Sequence, residues 1–157
     1  MTADLPHILI AEDNDNDLEL TLAALRSHNV ANEVDVARDG AEALDYLYRR
    51  GSFAGRTHAP LALVLLDLKM PKVDGLEVLR QIKGDPNLRL TPVVMLTSSR
   101  EEVDLLRSYE LGVNAYVVKP VEFGQFMEAV RQLGSFWAVL NELPPLGATA
   151  PSGAPHG

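Results

Sequence analysis

Short apolar runs recur along the chain and restrict its fold more than any other feature. Four of them are continuous and rich in branched side chains, and one alternates between apolar and polar residues. In chain order they are HILIA (7–11), EVDVA (33–37), LALVLL (61–66), PVVML (92–96) and AYVV (115–118). Continuous runs of this length are typical of parallel strands buried on both faces, and alternation is typical of a less covered edge strand. The pattern predicts five strands, with EVDVA at an edge.

Amphipathic segments lie between these runs. Apolar residues at helical spacing predict helices over about 15–28, 40–50, 75–84, 99–111 and 122–142. Ser99 and Glu102 have the spacing of a capping box at the start of the fourth of these helices. Because strands and helices alternate, we predict an α/β fold, a doubly wound parallel sheet with helices on both faces.

The length and composition favour one folded domain. The chain has 157 residues, of which 46% are hydrophobic and 23% are charged, enough for a core of its own. We predict a domain over 1–143 and a disordered tail over 144–157, where seven of fourteen residues are Pro or Gly. The connection at 48–60 is predicted to be a surface excursion.

Composition also excludes several kinds of function. The absence of cysteine rules out disulfides, thiolate nucleophiles and cysteine-ligated metals. A net charge of -8 argues against nucleic-acid binding, which depends on neutralising phosphates. No apolar run is long enough to span a bilayer, and the N-terminus lacks a signal-peptide pattern. These features predict a cytoplasmic protein.

Polar residues stand at the ends of the predicted strands. Glu12 and Asp13 follow the first, Asp67 the third, Thr97 the fourth and Lys119 the fifth. Since the carboxyl ends of parallel strands meet at one edge, we expect these side chains to converge. Crowded carboxylates raise one another's pKa unless a cation neutralises them. A donor set made only of oxygen favours Mg²⁺.

The same residues predict how the ion would be held. Asp67 and Asp13 are expected to bind Mg²⁺ directly. The backbone carbonyl of Lys69 could supply another oxygen, and Glu12 would act through water.

The cluster also predicts chemistry at Asp67. A metal, the hydroxyl of Thr97 and the ammonium of Lys119 would together form a pocket for an incoming phosphoryl group. Asp67 is then the nucleophile, because carboxylates accept phosphoryl groups and a cation shields the charge between the reacting oxygens.

Four motifs carry a family resemblance. They are AEDN, LLDLKMPKVDG, MLTSS and NAYVVKP, at the ends of the first, third, fourth and fifth predicted strands. In order and spacing they resemble the response-regulator receiver domain of two-component signalling, from residue 7 to about 142. The 48–60 connection increases the number of residues between Asp13 and Asp67.

The resemblance implies a fold and a set of roles. The fold would be the flavodoxin-like receiver with strand order 2-1-3-4-5. Asp67 would accept the phosphoryl group from the phosphohistidine of a histidine kinase, and Lys119 would pair with that group. Thr97 and Tyr116 would form the conformational switch. The peptide bond before Pro120 is often cis in this family.

The predicted output is a change of surface. We expect a single-domain regulator that catalyses only its own phosphorylation and dephosphorylation and signals through the fourth helix, fifth strand and last helix. The apolar end of the last helix predicts a homodimer through that face. The inserted connection and long last helix resemble regulators that partner phytochromes, which implies a sensor histidine kinase of the bacteriophytochrome type.

Two other functional classes remain as alternatives. Phosphatases of the haloacid dehalogenase type also use Mg²⁺ and a nucleophilic Asp after an apolar strand. They need a second acid two residues later, where this chain has Lys69. A flavin-binding module is a weaker alternative, because the strand-end loops offer no phosphate cradle.

Some of these residues also have plain structural interpretations. Thr97 could cap the following helix, Tyr116 could be a half-buried strand aromatic, and Glu12 could be solvated. Several other polar residues are predicted to be surface, capping or incidental groups: Asp15, Asp17, Asp74, His7, His28, His58 and His156.

Overall fold

The structure is a computed structural model that describes residues 6–26, 32–56, 61–102 and 115–132, with side chains described as far as residue 129. The predicted tail and the predicted extension of the last helix beyond residue 132 lie outside the described residues. So do three of the four histidines. Among the described helices, none combines the length and the apolar character that crossing a membrane requires.

Five parallel strands form one sheet in the order β2-β1-β3-β4-β5. They are β1 (Ile8–Ala11), β2 (Val34–Ala37), β3 (Leu63–Asp67), β4 (Val93–Thr97) and β5 (Tyr116–Val118). The alternating strand β2 lies at an edge and is only partly buried, whereas β1, β3 and β4 are buried throughout. The predicted strands, their order and the edge position of β2 are confirmed.

Two strands extend one residue further than predicted. Asp67 and Thr97 are the last residues of β3 and β4, not the residues after them. The ladder continues because the amide of Leu68 donates to the carbonyl of Leu96 at 3.0 Å, and the amide of Lys119 donates to the carbonyl of Thr97 at 2.8 Å. The two functional candidates are therefore held by sheet hydrogen bonds and not by loops.

The helices lie close to their predicted ranges. They are α1 (Asp15–Arg26), α2 (Gly40–Tyr48), α3 (Gly75–Gly84) and a C-terminal helix (Phe123–Gln132). The chain is also helical at 100–102, and residues 103–114 lie outside the described part. Helix α2 ends two residues before its prediction, because Arg49 adopts a left-handed conformation with φ 55°.

Three helices are capped at their N-termini by the side chain of the residue that precedes the helix. Asn14 accepts from the amide of Asp17 at 2.9 Å, Asp39 from Glu42 at 2.7 Å, and Asp74 from Glu77 at 2.9 Å. The predicted capping role of Asp74 is thus confirmed. Each cap satisfies an amide that the helix itself leaves unpaired.

The core has two layers, one on each face of the sheet. Alternate residues of β1 and β3 point to opposite faces, as the pleat requires. One layer packs against α1 and the C-terminal helix and includes Ile8, Ile10, Leu63, Leu65, Leu25 and Phe126. The other packs against α2 and α3 and includes Leu9, Ala11, Val64, Leu66, Leu47 and Ile82.

The connection after α2 lies at the amino edge of the sheet. A 3-10 turn (Gly51–Phe53) follows the helix, and the Phe53 ring packs edge-on against Tyr46 with centroids 5.1 Å apart. The Arg56 guanidinium stacks 4.2 Å from the Tyr46 ring centre and donates to the Tyr46 carbonyl at 3.0 Å. Up to residue 56, the excursion is thus fixed to α2 and lies away from the carboxyl edge.

Candidate functional site

Three carboxylates meet at the carboxyl edge of the sheet. One oxygen from each of Glu12, Asp13 and Asp67 lies within 4.8 Å of the others. Glu12 is fully buried and Asp67 nearly so, whereas Asp13 is exposed. The sheet therefore brings together the acids that the strand ends predicted, and the alternative in which Glu12 is solvated is wrong.

The ammonium group of Lys119 joins this cluster. The Nζ atom of Lys119 lies 3.1 Å from Glu12 Oε1, 3.2 Å from Asp67 Oδ1 and 2.8 Å from Asp17 Oδ2. Only 11% of the lysine side chain is exposed. Lys119 thus contacts Asp67 and Glu12 as its position at the end of β5 predicted, and it contacts a further acid that was not predicted to take part.

The electrostatics of the cluster follow from burial and charge. Burial and the neighbouring charge of Glu12 raise the pKa of Asp67 to about 7, although Lys119 acts in the opposite direction. Burial alone would lower the pKa of Lys119. The hydrogen bond to Asp17 and the charges of Asp67 and Glu12 outweigh it, so that pKa is raised. One cation therefore does not neutralise the buried acids, and a second would be favoured.

Thr97 places a buried hydroxyl at the same edge. The residue is fully buried, and its Oγ1 atom has no hydrogen-bond partner among the described residues. An unsatisfied buried hydroxyl costs about 1–3 kcal/mol, so its presence suggests a ligand group that the hydroxyl would meet. The interpretation of Thr97 as a helix cap is wrong, because Ser99 Oγ accepts from the Glu102 amide at 3.4 Å instead.

An ion pair links the segment after β4 to the loop after β3. Glu102 accepts from the amide of Ser98 at 2.7 Å, one residue before the position that the predicted capping box required. Its other oxygen lies 3.3 Å from Lys69 Nζ. Lys69 is largely exposed, so the position two residues after Asp67 carries a surface lysine and no acid. The role of the Lys69 carbonyl stays a prediction.

Tyr116 lies at the start of β5 beside Met95 of β4. It is partly buried and packs against the core layer that also contains Met95. This position agrees with the plain interpretation of a half-buried strand aromatic, and the switch role stays a prediction.

Close backbone packing shapes the loop beyond Asp67. A Cβ atom at Gly75 would lie 2.2 Å from the backbone oxygen of Asp67, and the Gly75 amide donates to the Leu68 carbonyl at 2.8 Å. Only glycine fits this approach. The peptide bond between Lys119 and Pro120 is cis, as predicted.

Two contributors to the site were not predicted. Asp17 was expected to be a surface or capping group, but it contacts Lys119 from the first turn of α1. Acids are ordinary in the first turn of a helix, so the sequence offered no specific signal for this contact. Arg38 donates to the carbonyls of Glu12 and Asp13 at 3.2 and 3.1 Å. It follows β2, a strand end for which no functional residue was predicted.

Comparisons with known proteins agree with this geometry. The family model of the response regulator receiver domain matches residues 8–131. The chain therefore belongs to the response regulator receiver domain family of two-component signalling.

Within that family, the chain is similar to phytochrome-associated regulators. It is 38% identical over 137 residues to response regulator Rcp1 of Synechocystis sp., which covers 87% of this chain and 92% of Rcp1. The solved bacteriophytochrome response regulator AtBRR is 66% identical with a TM-score of 0.84, covering 88% of this chain and 99% of that one.

Two further solved structures record states of related proteins. One is the phosphorylated cyanobacterial phytochrome response regulator RcpA, 41% identical with a TM-score of 0.68, covering 85% of this chain and 94% of that one. The other is the Mn²⁺-bound form of Rcp1, which is 36% identical with a TM-score of 0.66. The match covers 88% of this chain and 99% of that one.

Proposed function

We propose that Asp67 accepts a phosphoryl group from the phosphohistidine of a sensor histidine kinase, in a reaction that depends on Mg²⁺. The observation that carries the proposal is a buried carboxylate at a strand end, close to two acids and an ammonium, with an unpartnered buried hydroxyl at the end of the adjacent strand. The phosphorylated state of the related RcpA supports it.

The donor set fits a hard divalent ion. The carboxylates of Glu12, Asp13 and Asp67 offer oxygens within 4.8 Å of one another, and we assign these residues and the Lys69 carbonyl to Mg²⁺. The Mn²⁺-bound form of the related Rcp1 supports a divalent ion. When bound, Mg²⁺ would supply positive charge that screens the repulsion between Asp67 and the incoming phosphoryl oxygens.

The residues of the chain have distinct tasks in the transfer. A carboxylate oxygen of Asp67 forms a bond to phosphorus while the phosphorus–nitrogen bond of the phosphohistidine breaks, and the imidazole nitrogen keeps the electron pair. The Lys119 ammonium, already 3.2 Å from Asp67, compensates charge on the transferred group. The Thr97 hydroxyl donates to a phosphoryl oxygen and so gains the partner that it lacks.

The consequence of phosphorylation is a conformational signal. As Thr97 moves toward the phosphoryl group, Tyr116 turns inward, and the surface of the predicted fourth helix, β5 and the C-terminal helix changes. We propose a bacteriophytochrome as the kinase, on the basis of the similarity to AtBRR, and a homodimer through this surface in the cytoplasm. The protein acts as a signalling partner and catalyses only its own phosphorylation and dephosphorylation.

The phosphatase alternative is disfavoured by the residue two positions after Asp67. Lys69 is exposed and paired with Glu102, so it cannot serve as the general acid and base that such enzymes need. The site is therefore suited to holding a phosphoryl group more than to rapid turnover.

Intact-protein mass spectrometry tests the proposal. The chain is incubated with Mg²⁺ and acetyl phosphate, and a mass increase of one phosphoryl group is expected. Asp67→Asn and a chelator control should both show no increase. An unmodified wild-type chain at saturating Mg²⁺, or equal modification of Asp67→Asn, would contradict the proposal. Multiple turnover of a phosphate ester would support the phosphatase instead.

A further inference from the structure

We propose that Asp17 is a positioning residue for Lys119 in the phosphoryl transfer. The inference rests on the proposed function and assigns a role to an acid outside the predicted metal and phosphoryl-binding residues. Asp17 Oδ2 lies 2.8 Å from Lys119 Nζ, closer than the oxygens of Glu12 and Asp67 at 3.1 and 3.2 Å.

The donors of the ammonium group explain why the third acid matters. A lysine ammonium has three N–H donors and no acceptor, and Lys119 has three carboxylate neighbours among the residues that the structure describes. In the proposed reaction Asp67 becomes esterified, and Glu12 belongs to the acids assigned to Mg²⁺. Asp17 is the one neighbour with neither task, so it can hold Lys119 before, during and after transfer.

Asp17 is itself well fixed for this purpose. Its amide donates to Asn14 Oδ1 at 2.9 Å, and its carbonyl accepts from Thr21 Oγ1 at 3.0 Å. It lies in the first turn of α1, where the helix dipole favours a negative charge. Its side chain is 31% exposed, whereas Glu12 is fully buried, so Asp17 holds the ammonium from the solvent side of the cluster.

The physical effect is preorganisation. A free lysine side chain loses substantial rotamer freedom when its ammonium is fixed in one place. Contacts to Asp17 and Glu12 fix Nζ beside Asp67 in the resting protein, so less ordering remains when the phosphoryl group arrives. Asp17 touches no reacting atom and acts only through Lys119.

The test compares phosphorylation rates from acetyl phosphate, with Mg²⁺ saturating for every variant so that metal affinity does not enter. Asp17→Asn removes the charge but keeps an acceptor oxygen, and we expect a rate about fivefold lower, because the hydrogen bond to the ammonium is weakened and not lost. Asp17→Glu should recover part of the loss. Glu19→Gln removes an equal charge from an exposed position of α1 and should match the wild type.

A double-mutant cycle separates positioning from a general structural effect. In a Lys119→Met background there is no ammonium to hold, so adding Asp17→Asn should leave the slower rate unchanged. The inference is overturned if Asp17→Asn matches the wild type, or if it slows Lys119→Met by the same factor. A wild-type chain that is never modified would instead overturn the proposed function itself.

Discussion

Replacing Asp67 by asparagine should make the metal-free protein more stable at neutral pH, although the same change abolishes the proposed phosphorylation. Burial and the charge of Glu12 raise the pKa of Asp67 from 3.8 to about 7. A carboxyl group whose pKa is raised in the folded state binds its proton more tightly there than in the unfolded chain. Its ionisation therefore costs folding free energy, and asparagine has no such cost.

The size and the pH range of the effect follow from that shift. Each pKa unit corresponds to about 1.4 kcal/mol, so the rise from 3.8 to about 7 sets a ceiling near 4 kcal/mol. Below the unfolded pKa both states are protonated and the wild type bears no cost. The cost grows as pH rises from about 4 to 7 and is constant above that range. We expect the variant to be more stable by about 1–4 kcal/mol at pH 7.5.

Urea denaturation of both proteins in chelator, at several pH values, measures the difference. Other titrating groups contribute similarly to both proteins, so the gap between the two curves isolates position 67. Added Mg²⁺ should narrow the gap, because a ligand at a hundredfold its dissociation constant stabilises the wild type by about 2.7 kcal/mol. The asparagine variant lacks one of the proposed ligands and should gain less.

Two results would refute this reasoning. One is a metal-free variant that is less stable than the wild type at pH 7.5, and the other is a gap that does not shrink as pH falls toward 4. Glu19→Gln, which removes an exposed carboxylate of α1, serves as the control and should leave the free energy of unfolding nearly unchanged.

Four further substitutions test the loops of the site and the packing around the sheet. Gly75→Ala places a Cβ 2.2 Å from the Asp67 carbonyl and should cost about 1–3 kcal/mol in urea denaturation, whereas Gly84→Ala meets no atom within 4 Å and should stabilise by up to about 1 kcal/mol. Arg38→Met removes the donors that hold the first acidic loop and should weaken Mg²⁺ binding roughly tenfold by calorimetry. Tyr46→Phe deletes the hydrogen bond that the Tyr46 hydroxyl donates to Asp35 and should cost about 1–2 kcal/mol in urea denaturation. An unchanged Mg²⁺ affinity in Arg38→Met, or equal effects of the two alanine variants, would contradict these expectations.

The fold was largely predictable because hydrophobic period determines both element type and burial. Continuous apolar runs became β1, β3 and β4, and the alternating run became the edge strand β2. Strand ends were less predictable. Asp67 and Thr97 are polar, yet they complete their strands because backbone hydrogen bonds to neighbouring strands do not depend on side-chain polarity.

The site was predictable where it depended on strand order and was not where it depended on side-chain reach. The convergence of Asp67, Glu12 and Lys119 follows from a parallel sheet. Asp17 was missed because acids are common in the first turn of a helix, where they interact favourably with the helix dipole. Only the position of Lys119, which is distant in the sequence, distinguishes that role from a contact within the site. Arg38 was missed for a related reason, since it acts on backbone carbonyls, which a sequence pattern does not mark.

The fixed excursion after α2 lies at the opposite edge of the sheet from the candidate site. The acids and the ammonium lie at the carboxyl edge, whereas the turn at Gly51–Phe53 lies at the amino edge and is held by Tyr46 and Arg56. Ala54 and Gly55 are exposed beyond that anchor. A small fluorescent reporter or an affinity tag inserted there would lie at the opposite edge of the sheet from Asp67. This turn is therefore a suitable labelling site that should leave the reactivity of Asp67 unchanged.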